Sequence, residues 1–424
     1  MEDLRQSPIF VIPVLLISVA LLNLGNDLQG TLLGVRAAIE EFPRENIGLV
    51  MSAYFVGFVV GPWFIPRLIS QVGHIRTFAA MASLASGVAL AHVLIINTPA
   101  WMLLRFVHGI CYSGMMLVVE SWLNGSATYY DRGRILSIYS IVFYLSSAAG
   151  HPLLNIASPE GFTLFCVVSI LISLAVIPIT LAQVENPARV PMMRMKIGSL
   201  IKTAPMGIVG IFIAGLCMNA FRGMGPTFGQ DVGLTPAGIS AIMAVTTVGG
   251  LALQWPMGLL SDRMDRRKVI LWASLGAGII ALVIGFSGVV SLRVLLVALF
   301  VFGGLGIPVY AICIAHANDH VQPGEFVATA STMMVSFGLG SAIGPYLSGV
   351  VMSKIGPNGL FILAGYIWLI LFVFGLFVIE RRKPIKQRLK ETFIPVPRTT
   401  PSSLQWYARQ AREERRIKKG KARS

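Results

Sequence analysis

Charge is scarce in this sequence. Asp, Glu, Lys and Arg make up 12% of its 424 residues, against roughly a quarter in a soluble domain. Apolar residues reach 55% and the mean hydropathy is +0.74. That balance excludes an ordinary soluble domain and indicates a chain that crosses a membrane many times. Cysteine is scarce as well. Cys111, Cys166, Cys217 and Cys313 are scattered in apolar runs without CxxC spacing, which argues against a thiolate metal site or a disulfide framework. No HExxH, P-loop or Rossmann fingerprint occurs, so the chain alone is not expected to hydrolyse ATP or bind a dinucleotide. No filter-like sequence suggests a channel. The fragment Gly285-Phe-Ser287-Gly288 resembles a protease motif, but it falls at a helix end, with no histidine placed at matching depth. The N-terminal MEDLRQS is followed by no small-residue cleavage site, so the first apolar run reads as a span and not as a removable signal.

Long apolar runs are what the chain has instead. A helix needs roughly 20 such residues to cross about 30 Å of hydrocarbon. Twelve runs qualify, near 8–32, 46–69, 75–97, 100–123, 134–156, 161–182, 205–228, 236–259, 268–288, 292–315, 326–353 and 358–380. Short alternating segments of a β-barrel are missing. The expected fold is therefore an all-α integral membrane protein with twelve transmembrane helices.

Basic residues set the orientation. With the N-terminus inside, the inner connections hold Arg67, Arg76, Arg132, Arg134, Arg189, Arg194, Lys196, Lys202, Arg263, Arg266, Arg267 and Lys268. The outer ones hold Arg36, Arg44, Arg293 and Lys354. The stretch from 381 onward carries 15 of the 34 basic residues. This bias predicts a multi-pass protein of the cell inner membrane with both termini in the cytoplasm. It also accounts for the net charge of +15 without nucleic acid as a partner. The tail reads either as a solvated segment or, after Ser403, as a short basic helix that meets anionic lipid through Trp406 and Tyr407.

The chain repeats itself. Shifting the first half by 192 places Gly57 on Gly249, Pro66 on Gly258, Ser70 on Asp262, His74 on Arg266 and Arg76 on Lys268. Shifting by 194 places Gly109 on Gly303, Asn124 on Asn318 and Gly150 on Gly344. The expected organisation is two six-helix pseudo-repeats, 1–182 and 205–380, a basic linker at 183–204 and a basic tail at 381–424. Two such halves make a transporter architecture, with a small-molecule substrate bound between them near mid-membrane.

One charged stretch gives a family. Gly258-Leu-Leu-Ser-Asp262-Arg263-Met-Asp265-Arg266-Arg267 resembles the G-x-L-x-D-R-x-G-R-R signature of the major facilitator superfamily, departing at Asp265. Its counterpart in the first half, at 66–76, has decayed, with Ser70 at the acidic position. Arg105-x-x-x-Gly109 resembles the span 4 motif of that superfamily, and Gly340-x-x-x-Gly344-Pro345 its glycine-proline motif. The stretch from Arg105 to Ser140, with LQWPMGLLSDR, is similar to the bacterial YcaD-like subgroup. The resemblance implies an MFS fold and a carrier driven by the proton gradient, without a cofactor. Export is favoured over import of a small polar or anionic metabolite. A non-transporting sensor or assembly factor is the other alternative. The carrier is expected to act as a monomer.

Ionisable groups inside a span cost at least about 2.5–3.5 kcal/mol on insertion scales, so each should face the bundle interior. Asn23, Asn26 and Asp27 share one face of the first span, and Arg105, His108 and Tyr112 one face of the fourth. Asp27 and Arg105 match in depth. They read as a proton-sensitive pair, as a permanent ion pair, or with Asp27 as a wetted helix end. Glu120 lies 15 residues beyond Arg105 and cannot reach it. The resemblance implies a latch to Arg76, Arg132 or Arg134, with direct coupling or an exposed helix end as the alternatives. Ser137, Ser140, Tyr144, Ser147 and His151 form a stripe that suits a cavity wall or close helix packing. Asn219, Arg222, Gln254 and Trp255 are further cavity candidates, and Asn219 falls on Asn26 at a shift of 193. His92 is expected to be packed or interfacial. Gly258, Asp262, Arg263, Arg266 and Arg267 form the expected gating motif.

Overall fold

The computed structural model describes residues 8–126, 132–181, 197–287, 291–320 and 326–381, together with Phe393 and Pro395. Most of the 183–204 linker and the segment after Ser403 lie outside the described residues.

The first half contains α1 (Pro8–Ile39), α2 (Arg44–Val72), α3 (His74–Leu94), α4 (Thr98–Ser126) and α5 (Arg132–Gly150). A 3-10 turn (His151–Ile156) follows, then α6 (Thr163–Leu174) and α7 (Val176–Leu181), which together make the sixth span. A short α8 (Ile197–Thr203) leads into the second half. That half contains α9 (Pro205–Asp231), α10 (Pro236–Arg263), α11 (Arg266–Ser287), α12 (Leu292–Asp319), α13 (Phe326–Ile355) and α14 (Gly359–Arg381). No strand occurs among the described residues. Eleven described helices are long and apolar enough to cross a membrane. The fifth expected span is the exception, because α5 carries four serines between Ser137 and Ser147 and ends at Gly150. Several helices outrun their apolar cores. α1 has 32 residues, roughly 48 Å at 1.5 Å per residue.

Both halves pack by the same scheme. α2 packs on α4, α1 on α5 and α3 on the sixth span. In the second half, α10 packs on α12, α9 on α13 and α11 on α14. The α2–α4 crossing has Gly57 against the carbonyl of Phe106 and Gly109 against that of Tyr54; a methyl group on either glycine would collide with the carbonyl. The α10–α12 crossing repeats this with Gly249 against Phe300 and Gly303 against Thr246. These are the glycines that the sequence shift superposes. Small residues let such backbones touch, and the two crossings show that the repeat is structural.

The bundle has two ends. One, the tail end, holds the α2–α3 and α10–α11 links and residue 381. At the other, the far end, the halves are fastened together. Arg44 Nε lies 2.7 Å from Asp231 Oδ2. Asn155 Nδ2 donates to Ser240 Oγ at 2.9 Å, Thr227 Oγ1 to the Gly34 carbonyl at 3.1 Å, and the Tyr346 N–H to Ser52 Oγ at 3.1 Å.

Candidate functional site

Between the halves lies a small cavity, part of it open to solvent. The first half lines it with Asp27, Phe143, Tyr144, Ser147 and His151. The second half lines it with Met218, Phe221, Arg222, Met243, Thr246, Thr247 and Ile307. Half of these residues are apolar or aromatic and half are polar or charged, so apolar walls and convergent polar groups meet here as they do in small-molecule sites.

A charged contact in its wall joins the halves. Arg222 on α9 donates through Nη2 to Asp27 Oδ1 on α1. The Asp27 side chain is 1% exposed. Its second oxygen, Oδ2, is buried and accepts no hydrogen bond among the described residues. One turn on, Thr31 Oγ1 lies 2.7 Å from His151 Nδ1, which holds the ring against the same face of α1. Among the described residues, no group of three or more His, Cys, Asp or Glu is placed to hold a metal ion.

The expected Asp27–Arg105 pair does not form. Arg105 matches Asp27 in depth but belongs to α4, inside the first half. Its guanidinium carbon lies 4.3 Å from the centre of the Tyr54 ring on α2, an arrangement in which the π face stabilises the cation. Arg105 Nε and Nη1 make no hydrogen bond among the described residues.

The other expected residues divide into three groups. Tyr144, Ser147, His151 and Arg222 line the cavity. Asn23, Asn26, His108, Tyr112 and Asn219 instead serve helix packing. Asn23 accepts from Tyr112 Oη at 2.5 Å and donates to Ser146 Oγ at 3.2 Å, tying α1 to α4 and α5. Asn26 Oδ1 lies 3.4 Å from His108 Nε2. Asn219 donates to Ser341 Oγ at 2.8 Å, tying α9 to α13. Asn23 makes the same kind of asparagine–serine contact in the first half. Ser140 and Gln254 are buried outside the cavity wall. Trp255 is 67% exposed. It sits one residue, or 100° of helix rotation, from the buried Gln254, so it faces outward and is not a cavity residue.

Glu120 Oε1 accepts from Tyr139 Oη at 2.8 Å, joining α4 to α5, a partner the sequence did not suggest. His92 is packed, with Nδ1 2.8 Å from the Val88 carbonyl and its ring 5.6 Å from that of Trp101.

In the gating motif, Arg266 is the centre. It lies 3.1 Å from Asp262 and 2.8 Å from Asp319 at the end of α12, and it donates to Ser261 Oγ at 2.8 Å. Arg267 and Asp265 lie 2.6 Å apart. Asp265, the departure from the motif, also accepts from the Arg267 N–H at 3.0 Å and so caps α11. Gly258 lies against the ring of Phe393, and Arg263 is exposed.

Sequence reasoning missed Tyr54, Thr31, Thr246, Thr247 and Asp319. Asp319 was findable as the only carboxylate at the end of the tenth span. The threonines gave no signal, because a hydroxyl in a span is ordinary.

The family model described as Major Facilitator Superfamily matches residues 15–233 and 207–410. The chain belongs to this superfamily. An uncharacterized MFS-type transporter of Yersinia pestis (strain Pestoides F) is 29% identical over 349 residues, 82% of this chain and 88% of that protein. The MFS-type transporter YcaD of Salmonella newport (strain SL254) is 28% identical over 352 residues, 82% of this chain and 91% of that protein. Among solved structures, the nucleoside transporter NupG superposes with a TM-score of 0.73, covering 88% of this chain and 100% of that one at 14% identity. A point mutant of NupG superposes with a TM-score of 0.74 at 12% identity, covering 87% and 100%. At these identities the likeness to NupG shows the superfamily fold. Membership makes this chain a multi-pass membrane transporter, and the YcaD relatives fit the subgroup its motifs resemble.

Proposed function

We propose that this member of the superfamily is a proton-coupled secondary carrier of the inner membrane that works by alternating access. The observation that carries this reading is the Asp27–Arg222 pair. It joins the two halves inside the cavity, and its carboxylate is buried. A proton on Asp27 would remove its attraction for Arg222 and loosen α1 from α9. Oδ2, which accepts no hydrogen bond among the described residues, is where that proton would reside. With the positive-inside bias, the tail end lies in the cytoplasm. The fastened far end then makes this conformation the one shut to the outside. A transmembrane potential is worth about 2.3 kcal/mol per charge per 100 mV, enough to drive accumulation. The resemblance of the 258–268 and Arg105 motifs to those of proton-coupled exporters supports export.

One observation favours an anionic cargo. Arg222 lines the cavity and keeps 26% of its side-chain surface exposed, so it presents a cation that such a cargo would meet.

The test is purified protein in liposomes, screened for ligands by thermal shift and then for flux under a pH gradient. Asp27→Asn should abolish gradient-driven accumulation yet retain exchange of substrate for substrate. Unchanged accumulation in Asp27→Asn would defeat the coupling assignment. Binding without any flux in the wild type would favour a sensor.

A further inference from the structure

The tail reaches back into the bundle. Phe393 is 9% exposed, although it lies 12 residues beyond the end of the last helix at Arg381. Its ring covers Gly258 so closely that a methyl group there would overlap ring carbons. Its N–H donates to both oxygens of Asp262, at 2.9 and 3.0 Å. Two residues on, the Pro395 carbonyl accepts from Ser140 Oγ at 3.0 Å. Gly258 and Asp262 belong to α10 in the second half. Ser140 belongs to α5 in the first.

The helical positions place these contacts below the cavity. Ser140 precedes the cavity residue Ser147 by seven residues, about two turns and roughly 10 Å along α5. Gly258 follows the cavity residue Thr247 by 11 residues, about three turns and roughly 16 Å along α10. Seven and 11 residues both return to nearly the same helix face. The tail contacts therefore continue the two lining faces of the cavity toward the tail end, one from each half.

We propose that Gly258, Asp262 and Ser140 form a seat for the chain's own C-terminal segment, and that Phe393 in this seat closes the tail-end mouth of the cavity. Each part of the seat has a physical reason. Gly258 supplies the hollow, because any side chain would occupy the space of the ring. Asp262 satisfies an N–H that would otherwise be stranded as the ring is buried. Pro395 arrives with its φ already fixed, which lowers the entropy cost of ordering the segment. Because Phe393 contacts the second half and Pro395 the first, the two residues together hold the halves in the conformation fastened at the far end. It must leave before cargo can pass through that mouth. The gating motif thus gains a second occupant, with Gly258 and Asp262 serving the tail while Arg266 serves Asp319.

Access to the cavity tests the seat without knowledge of the cargo. The full chain, purified in detergent, carries Ser147→Cys in the cavity wall. Cys166, the half-exposed native thiol, is replaced by serine; the other three are buried. The readout is the rate of alkylation by a water-soluble maleimide. Phe393→Ala should raise this rate about tenfold or more, the scale expected for losing one buried aromatic side chain. Phe393→Leu, which keeps apolar bulk, should stay within about threefold of the parent. Gly258→Ala should match Phe393→Ala, and the double variant should add nothing, because both act on one contact. An unchanged rate in Phe393→Ala, or additive effects in the double variant, would overturn the proposal. The seat rests on the cavity being the route of transport, but labelling reads only access, so a failure of proton coupling would leave this result standing.

Discussion

The links at 66–76 and 258–268 hold equivalent places in the two halves, and they fasten their helices by different means. In the second half the link is charged. Arg266, 1% exposed, bonds to Asp262, Asp319 and Ser261, and Arg267 bonds to Asp265. In the first half the corresponding His74 meets Ser121 Oγ at 3.1 Å and stacks on Trp122 with ring centres 5.6 Å apart. Ser70, in the place of Asp262, donates to the Arg67 carbonyl at 2.7 Å. One copy therefore depends on the buried ion pair of Arg266 with Asp319, of a kind that fails badly when one partner is lost. The other depends on stacking and neutral bonds worth about 1 kcal/mol each. The charged copy is also the one that receives the tail.

The contrast is most open to challenge at Arg266. Arg266→Ala removes a buried ion pair from Asp319, itself 3% exposed, and should cost roughly 3–5 kcal/mol. His74→Ala should cost roughly 2 kcal/mol, about one for the hydrogen bond and about one for the stack. Unfolding midpoints of the two variants in one detergent compare them directly, and equal losses would erase the difference between the links. Transplanting the charge sharpens the comparison. His74→Arg places a cation against a hydroxyl and should cost roughly 1–3 kcal/mol. Adding Ser70→Asp, four residues earlier on the chain, should recover part of that loss, as Asp262 serves Arg266. The smallest effect is expected at Asp265. Burial works to raise its carboxyl, but the bonds from Arg267 outweigh burial and hold it below its ordinary value of 3.8. The folded form thus binds its proton less readily than the unfolded form. The resulting stability is complete above the ordinary value and is lost as the pH falls through the folded one. Asp265→Asn should cost less than about 1 kcal/mol near neutrality, since Asn also caps helices. The gap to the wild type should narrow further below about pH 4. Melting temperatures against pH measure this, and a gap that widens in acid would contradict it.

Much of this protein was legible because hydropathy is a local property. The spans could be counted one by one, and glycine spacing revealed the duplicated crossings. Asp27 was legible as an interior carboxylate, but its partner was not. Depth along a helix cannot separate two arginines at similar height, one in the same half and one across the interface. Helix packing decides between Arg105 and Arg222. Trp255 failed for a related reason: with a neighbour only 100° away on α10, membership of a face needs a reference direction that one helix does not carry. Asn23 and Asn219 were read as lining because an amide in a span suggests ligand. Each instead finds a serine on the adjacent helix, at Ser146 and Ser341. The tail contact left no periodic trace, since a single phenylalanine in a polar stretch is unremarkable in a pattern.

The glycine crossings at Gly57 and Gly109, and at Gly249 and Gly303, set main chain directly against main chain. At these four glycines the main chains touch directly, which resists slipping while the backbones stay paired. Each crossing is a built-in ruler. Probe pairs across α2 and α4, or across α10 and α12, should keep one separation through the transport cycle, and any change measured between α1 and α9 can be read against that constant length.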